Sequence, residues 1–271
     1  MKIKYEYSKA EIKKKINTNW AGKSLFFFDS TESTNEVATK LGKSGEVHGT
    51  LVVADGQSKG KGRRGRSWSS PFGKDIYMTL LLRPCCKLES VSALTLVMAL
   101  SVMEAVSEVV SVQTLIKWPN DIVLNGKKLC GILTEMYLEP DNSFFIVIGA
   151  GINCNQTDFI EEISNNATSL FLEEQKYIDR AKLIGSIMSC FERNYEVFEK
   201  TQDLSELYQK YNKFLVNAGR EVRVLDPAGE YNAVAEGINK SGELIVHRID
   251  NGEAVTVYAG EVSVRGIYGY V

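Results

Sequence analysis

Between Lys59 and Arg66 five cations, Lys59, Lys61, Arg63, Arg64 and Arg66, are interleaved with Gly60, Gly62 and Gly65. Glycine lets the main chain take left-handed conformations and bring amides close to a ligand, while the cations match phosphate oxygens. A flexible cradle for a polyphosphate is the direct reading, because a merely solvated basic loop has no need of glycine at every second or third place. Two familiar patterns overlap here without their usual context. Gly60 to Gly65 satisfies G-x-G-x-x-G, yet Ser67-Trp68-Ser69-Ser70-Pro71 follows in place of a helix, so a dinucleotide-binding turn is not expected. Gly56-Gln57-Ser58-Lys59-Gly60 satisfies G-x-S-x-G, but no helix follows Ser58, and the only later histidine, His247, lies in a β-rich terminal segment. Serine hydrolysis is therefore set aside, and no P-loop pattern occurs.

Two further clusters carry polar groups that local structure does not explain. Ser33-Thr34-Asn35-Glu36 ahead of Val37, Ala38 and Leu41 reads as a capping box, with Ser33 and Glu36 bonding each other's free amides. Thr34 and Asn35 are left over, and with Ser33 they offer hydroxyl and amide groups to a polar, uncharged ligand head. Lys117-Trp118-Pro119-Asn120-Asp121 interrupts two β runs with a rigid turn. There Asn120 could read an amide or a nucleotide edge, and Asp121 could hold Mg²⁺ or orient an amine. Lys128, at the head of the run Leu129-Cys130-Gly131-Ile132-Leu133, is placed to meet an anion.

These clusters need a scaffold, and the hydrophobic pattern supplies one. Leu25 to Phe28, Thr50 to Ala54 and Ile76 to Arg83 read as strands, with a helix from about Thr34. Ser90 to Val110 is apolar nearly all round its helical wheel and is expected to lie under the sheet. Gln113 to Lys117, Ile122 to Leu124, Leu129 to Met136 and Phe144 to Ile148 follow as short strands. Asn125-Gly126 is a type I′ hairpin signal, which makes these neighbours antiparallel. Ile178 to Leu215 is helical in spacing. After Asn217-Ala218-Gly219 come five short strands, 221–225, 231–238, 243–248, 254–258 and 262–268, with turns at the spacing of a small barrel.

The chain has 271 residues and is 44% hydrophobic, enough for a substantial core. Its 32 basic and 34 acidic side chains leave a net charge of −2, which argues against a dedicated nucleic-acid binder. The first 23 residues hold seven lysines against Glu6 and Glu11 and are expected to form a solvated lead-in helix. There is no signal-like apolar core, and the apolar run from Ser90 is broken at Glu104, short of the roughly 20 residues that span a bilayer. A cytoplasmic location follows. Five cysteines without a CxxC pair suggest reduced, structural thiols.

Taken together and in order, the clusters resemble one family, the biotin protein ligases, also called biotin–[acetyl-CoA-carboxylase] ligases. The matching pieces are Ser33-Thr34-Asn35, Gln57 with Gly60 to Arg66 and Trp68, Lys117 to Asp121, Lys128 to Leu133, Gly149-Ala150-Gly151-Ile152-Asn153 and Gly260-Glu261-Val262-Ser263. The resemblance implies an α+β fold: a class II aminoacyl-tRNA synthetase-like catalytic domain with a mixed sheet (24–217), after the lead-in helix (1–23) and before an SH3-like barrel (218–271). It implies ATP-dependent biotinylation of a lysine on a biotin carboxyl carrier protein through biotinyl-5′-AMP. Ser33, Thr34, Asn35, Gln57, Lys61, Gly62, Arg63, Lys128 and Gly131 would contact biotin. Arg63, Arg64, Arg66, Trp68, Lys117, Asn120 and Asn153 would serve the nucleotide and its phosphates. Lys128, Arg63 and Asp121 would be catalytic, with Asp121 also the candidate for Mg²⁺. ATP, Mg²⁺ and biotin are the implied co-substrates, with no tightly bound prosthetic group. A monomer or weak homodimer is expected, without specific DNA or membrane binding. Lys61 departs from the arginine usual in the family, keeping the charge but losing the bidentate fork. The winged DNA-binding domain that some members carry, and with it repressor activity, is not expected here. A lipoate or octanoate protein ligase and a non-enzymatic nucleic-acid-binding protein are the alternatives.

Overall fold

The computed structural model describes residues 6–226, 229–259, 263–266 and 270–271. The expected turn at Pro227-Ala228 and the motif at Gly260-Glu261-Val262 lie outside the described residues, as does most of the last expected strand's far end.

A seven-stranded sheet forms the centre, from β1 (Leu25–Phe28), β2 (Thr50–Ala54), β3 (Ile76–Leu82), β4 (Leu115–Lys117), β5 (Asp121–Leu124), β6 (Lys127–Leu138) and β7 (Phe144–Ile152). Their order is β1-β2-β3-β7-β6-β5-β4. Only the β1–β2 pair is parallel; β2 to β7 pair antiparallel. Asn125 and Gly126 both have positive φ, 49° and 77°, as the type I′ turn requires.

Alternation along β7 divides its side chains between two layers. Ile146, Ile148, Ala150 and Ile152 face the main core, where α3 (Val91–Val110) packs on α6 (Arg180–Thr201). Phe145 and Val147 face a smaller cluster under α2 (Thr34–Lys43). Leu88–Val110 is long and apolar enough to cross a membrane, but 72% of its most apolar stretch is buried inside the protein, so it is the core helix. The face that carries Gly149 and Gly151 is covered by α2 only in part, and the site lies there.

Several local expectations change. Among the described residues the lead-in is helical only over α1 (Lys9–Lys15), and Ile12 is fully buried, so this helix is docked rather than solvated. Residues Asn19 to Ala21 follow as a strap whose amides donate to the Glu192 carboxylate. The helical stretch from Ile178 breaks into α6 and α7 (Tyr208–Lys213). Two short helices not foreseen, α4 (Glu161–Ser164) and α5 (Leu170–Glu174), lie between β7 and α6. The capping box does not form. Ser33 occupies the N-cap, but its side chain makes no capping hydrogen bond, and Glu36 turns away to Lys61.

The second sheet is antiparallel, built from β8 (Glu221–Leu225), β9 (Tyr231–Ile238), β10 (Leu244–Arg248), β11 (Ala254–Val257) and β12 (Ser263–Gly266). Its order is β11-β10-β9-β8-β12, a small antiparallel unit where the five terminal strands are expected. All five cysteines are free thiols.

Candidate active site

Glycine makes the floor. Gly131 on β6 pairs with Gly151 on β7, and Leu133 with Gly149, so three glycines fall on one face at two-residue spacing. A Cβ at Gly151 would stand 2.4 Å from Trp68 Nε1, one at Gly131 would stand 2.8 Å from the same indole, and one at Gly149 would stand 2.1 Å from Asn35 Oδ1. Any larger residue would push out Trp68 or Asn35. Trp68 thus lies against bare backbone, and its buried indole N–H has no acceptor among the described residues.

Two cavities meet above this floor. A narrow slot of about 50 Å³ is lined by Ser33, Thr34, Asn35, Gln57, Gly62 and Gly149, among others. A cavity of about 730 Å³ lies next to it, lined by Arg66, Lys117, Asp121, Asn153 and Tyr270, among others. Arg63, Trp68, Asn120 and Lys128 line both. The larger space is within the roughly 300–1,000 Å³ of ligand sites, whereas the slot is far smaller.

Polar groups of the slot are held by one another. Gln57 Oε1 accepts from the amide (2.8 Å) and the hydroxyl (3.1 Å) of Thr34, and Gln57 Nε2 donates to Ser70 Oγ at 2.9 Å. The Thr79 hydroxyl stands 2.8 Å from Thr34 Oγ1 and 2.7 Å from Asn35 Oδ1, and Asn35 Nδ2 donates to Glu135 at 2.7 Å. Ser33, Thr34 and Asn35 are all buried. Such groups are worth burying only if they orient a polar ligand or each other.

Where the cavities join, charge is concentrated. Asp121 Oδ1 lies 2.7 Å from Lys128 Nζ, an ion pair by distance. Lys128 is fixed by its own backbone, which donates to Asn166 and accepts from Thr168 of the α4–α5 segment. Arg63 donates to Asn120 Oδ1 at 2.9 Å and to the Ala259 carbonyl, and burial lowers its pKa despite the pull of Asp121. Asn120 Nδ2 in turn donates to the Ile132 carbonyl at 3.0 Å. Lys117 is buried, and desolvation, opposed by Asp121 and reinforced by Lys128 and Arg265, brings its pKa down to about 8.

The glycine-cation loop is not left to its own repulsion. Lys59 pairs with Glu32 at 2.9 Å and Lys61 pairs with Glu36. Arg64 takes a left-handed conformation, φ 57°, inside a single 3₁₀ turn, Arg63–Gly65.

The structure therefore gathers Ser33, Thr34, Asn35, Gln57, Lys61, Gly62, Arg63, Trp68, Asn120, Lys128 and Gly131 around the slot, and Arg66, Lys117, Asp121 and Asn153 around the larger cavity. Arg64 lines neither. Asp121 does not suit a metal as arranged, since one oxygen faces Lys128 and the other accepts from Tyr270. Among the described residues no group of three His, Cys, Asp or Glu side chains is disposed to hold an ion. Asn153 is committed to the Thr168 carbonyl at 2.9 Å. Thr79, Glu135, Arg265 and Tyr270 were not anticipated. Glu135 had a signal: two-residue spacing puts it on the same strand face as Gly131 and Leu133, which line the slot.

Residues 27–153 match the Biotin/lipoate A/B protein ligase family, and residues 218–265 match the Biotin protein ligase C terminal domain. The chain is 38% identical over 241 residues to a bifunctional ligase/repressor BirA of Bacillus subtilis, covering 88% of this chain and 74% of that one. It is 29% identical over 238 residues to a biotin–[acetyl-CoA-carboxylase] ligase of Mycobacterium tuberculosis, covering 86% and 85%. A solved biotin protein ligase from Aquifex aeolicus, in complex with biotin and ATP, superposes with a TM-score of 0.79 at 32% identity, covering 90% of this chain and 99% of that one.

Proposed function

The chain belongs to the biotin protein ligase family, within the biotin/lipoate A/B ligases, and on that premise we propose that it activates the carboxylate of biotin with ATP and transfers the acyl group to a lysine of a biotin carboxyl carrier domain. The observation that carries this reading is the junction: Arg63, Trp68, Asn120 and Lys128 border both the polar slot and the nucleotide-sized cavity. A cyclic urea offers one carbonyl and two N–H groups, which Ser33, Thr34 and Asn35 are equipped to bond. The apolar dithiolane of lipoate has no use for them.

In this scheme a biotin carboxylate oxygen attacks the α-phosphorus, an O–P bond forms, and the bond to pyrophosphate breaks. Like charges must approach, so Lys128 at the junction and Lys117, Arg63 and Arg66 on the nucleotide side lower the barrier by neutralising both partners. The magnesium ion enters as part of the nucleotide substrate, bound by its phosphates. The mixed anhydride, biotinyl-5′-AMP, is prone to hydrolysis, which gives a glycine-rich loop over the slot a purpose as a lid. An acceptor amine then attacks the acyl carbon and AMP leaves. Ahead of β1 the described residues form one short helix, and DNA recognition is no part of the proposal. The decisive experiment is exchange of labelled pyrophosphate into ATP with biotin, lipoate or octanoate in parallel. Exchange with biotin alone is expected; exchange with lipoate or octanoate alone would sink the reading.

A further inference from the structure

Tyr270, which follows the last strand of the smaller sheet, reaches the wall of the larger cavity and touches both ends of the β4–β5 turn. Its hydroxyl donates to Asp121 Oδ2 at 2.5 Å. Its main-chain carbonyl accepts from Lys117 Nζ, and that ammonium stands 3.6 Å from the centroid of its ring. Lys117 and Asp121 face each other across β4 and β5, so one residue beyond the last strand holds a pair at the mouth of the turn. The other oxygen of Asp121 meets Lys128. The result is a continuous chain, Lys128–Asp121–Tyr270–Lys117, across the place where the two cavities join. Burial and the neighbouring Asp121 both push the phenol's ionisation well up, so Tyr270 is a donor at any working pH.

We propose that Tyr270 is a positioning residue for carboxylate activation: its hydroxyl locks Asp121, and through it Lys128, while its ring and carbonyl aim Lys117 at the nucleotide. A carboxylate with one engaged oxygen can rotate; with both engaged it cannot, and the ammonium of Lys128 then has one place to stand. The face of an aromatic ring holds a cation without neutralising it, which leaves the charge of Lys117 available to a phosphate. The two halves of the side chain thus serve different partners, and they can be separated by substitution. The inference rests on the ATP-dependent activation of biotin proposed above.

Single-turnover formation of biotinyl-AMP and steady-state constants for both substrates should be measured in the unaltered protein, Tyr270→Phe and Tyr270→Ala, alongside their melting temperatures. Tyr270→Phe keeps the ring and the carbonyl, so adenylation should slow by about tenfold while the KM for ATP stays within about twofold. Tyr270→Ala should show the same loss of rate and, in addition, a KM for ATP raised by about fivefold. The split between rate and KM is what a merely structural residue would not produce. Equal activity of Tyr270→Phe and the unaltered protein overturns the proposal. So does a parallel fall of both variants in every constant together with a lower melting temperature. Tighter ATP binding by Tyr270→Ala would make Tyr270 an obstruction and overturn it as well. If the unaltered protein forms no adenylate, it is the reading of the function that falls, and this inference falls with it.

Discussion

Two buried or half-buried ammonium groups, Lys117 and Lys128, share one carboxylate, Asp121, so the junction carries surplus positive charge that an anionic substrate can satisfy. Removing Lys128 should therefore be felt in the transition state, where charge on the biotin carboxylate passes to phosphate. Lys128→Ala is expected to lose about 2–4 kcal/mol of adenylation barrier stabilisation, read by single-turnover quench. A rate equal to the unaltered protein would show Lys128 to be a surface lysine. Lys117 makes a prediction about pH. Its pKa of about 8 lies below the ordinary lysine value of 10.5, so between those two values the folded protein binds fewer protons than the unfolded chain. For this group, burial opposes folding most at and below pH 8, and the opposition fades as pH rises toward 10.5. Function runs the other way, because a neutral Lys117 attracts no phosphate. The kcat/KM for ATP should fall above about pH 8, and Lys117→Arg, charged throughout, should flatten that fall. An unchanged profile in the arginine variant would remove Lys117 from nucleotide binding. At this scale Lys117 and Asp121 are legible because strand alternation does not account for them, and Lys128 because it heads a buried hairpin strand. Tyr270 is not, since its partner Asp121 lies 149 residues away in the chain, and nothing local marks it.

At the scale of elements, the site is a loop over a glycine floor. The floor was half visible: Gly149 and Gly151 stand two apart in a strand-like run, a spacing that strips one face of side chains. Gly151→Ala should fold but displace Trp68, whose Nε1 is 2.4 Å from the added carbon position. The overpacking costs about 1–3 kcal/mol, and it should appear as weaker binding of both substrates. Unaltered binding would mean that Trp68 has somewhere else to go. The loop was legible in composition but not in pairing. Five cations in eight residues suggest repulsion, yet Glu32 and Glu36 supply counter-charges to Lys59 and Lys61. Glu36 was hidden because the capping-box pattern assigns it to Ser33, a bond that loses here to a full ion pair. Both pairs are well exposed and therefore weak, so phosphates can replace them. Limited proteolysis between Gly60 and Arg66 should slow when biotin and a non-hydrolysable ATP analogue are added, and the two ligands should each raise the other's affinity by the same factor. Equal cleavage with and without ligands would make the loop a static platform.

For the whole molecule, the texture of the sequence marks where the second sheet begins, but not how firmly it is docked, because docking joins residues far apart in the chain. Trp118 is the clearest case. It sits in the turn between Lys117 and Asp121, is 1% exposed, and donates from Nε1 to the Gly242 carbonyl of the β9–β10 turn at 3.0 Å. Its amide donates to Asn217 Oδ1 at 2.9 Å. The same β turn is held by α6's trailing segment, where the Leu204 amide donates to the Lys240 carbonyl at 2.7 Å. Gly242, at φ +85°, lets this turn approach Leu96 and Leu204, whose methyl carbons would lie 3.1 Å from an added Cβ. Arg63 adds a tie from the glycine-cation loop to the Ala259 carbonyl. The small sheet is thus fastened to the turn that carries Lys117, Asn120 and Asp121, and the two should unfold as one. Calorimetry should show a single transition with equal calorimetric and van't Hoff enthalpies. Trp118→Phe keeps most of the apolar volume but leaves the Gly242 carbonyl without its donor, at a cost of about 1–3 kcal/mol. That should lower the melting temperature by several degrees, since about 2–4 °C is expected per kcal/mol at this size. Because the indole braces the turn, the KM for ATP should rise in the same variant, while the KM for biotin, set in the slot under α2, should change little. Two separate transitions in the unaltered protein, with activity surviving the first, would show that the small sheet is a passenger rather than a wall of the site.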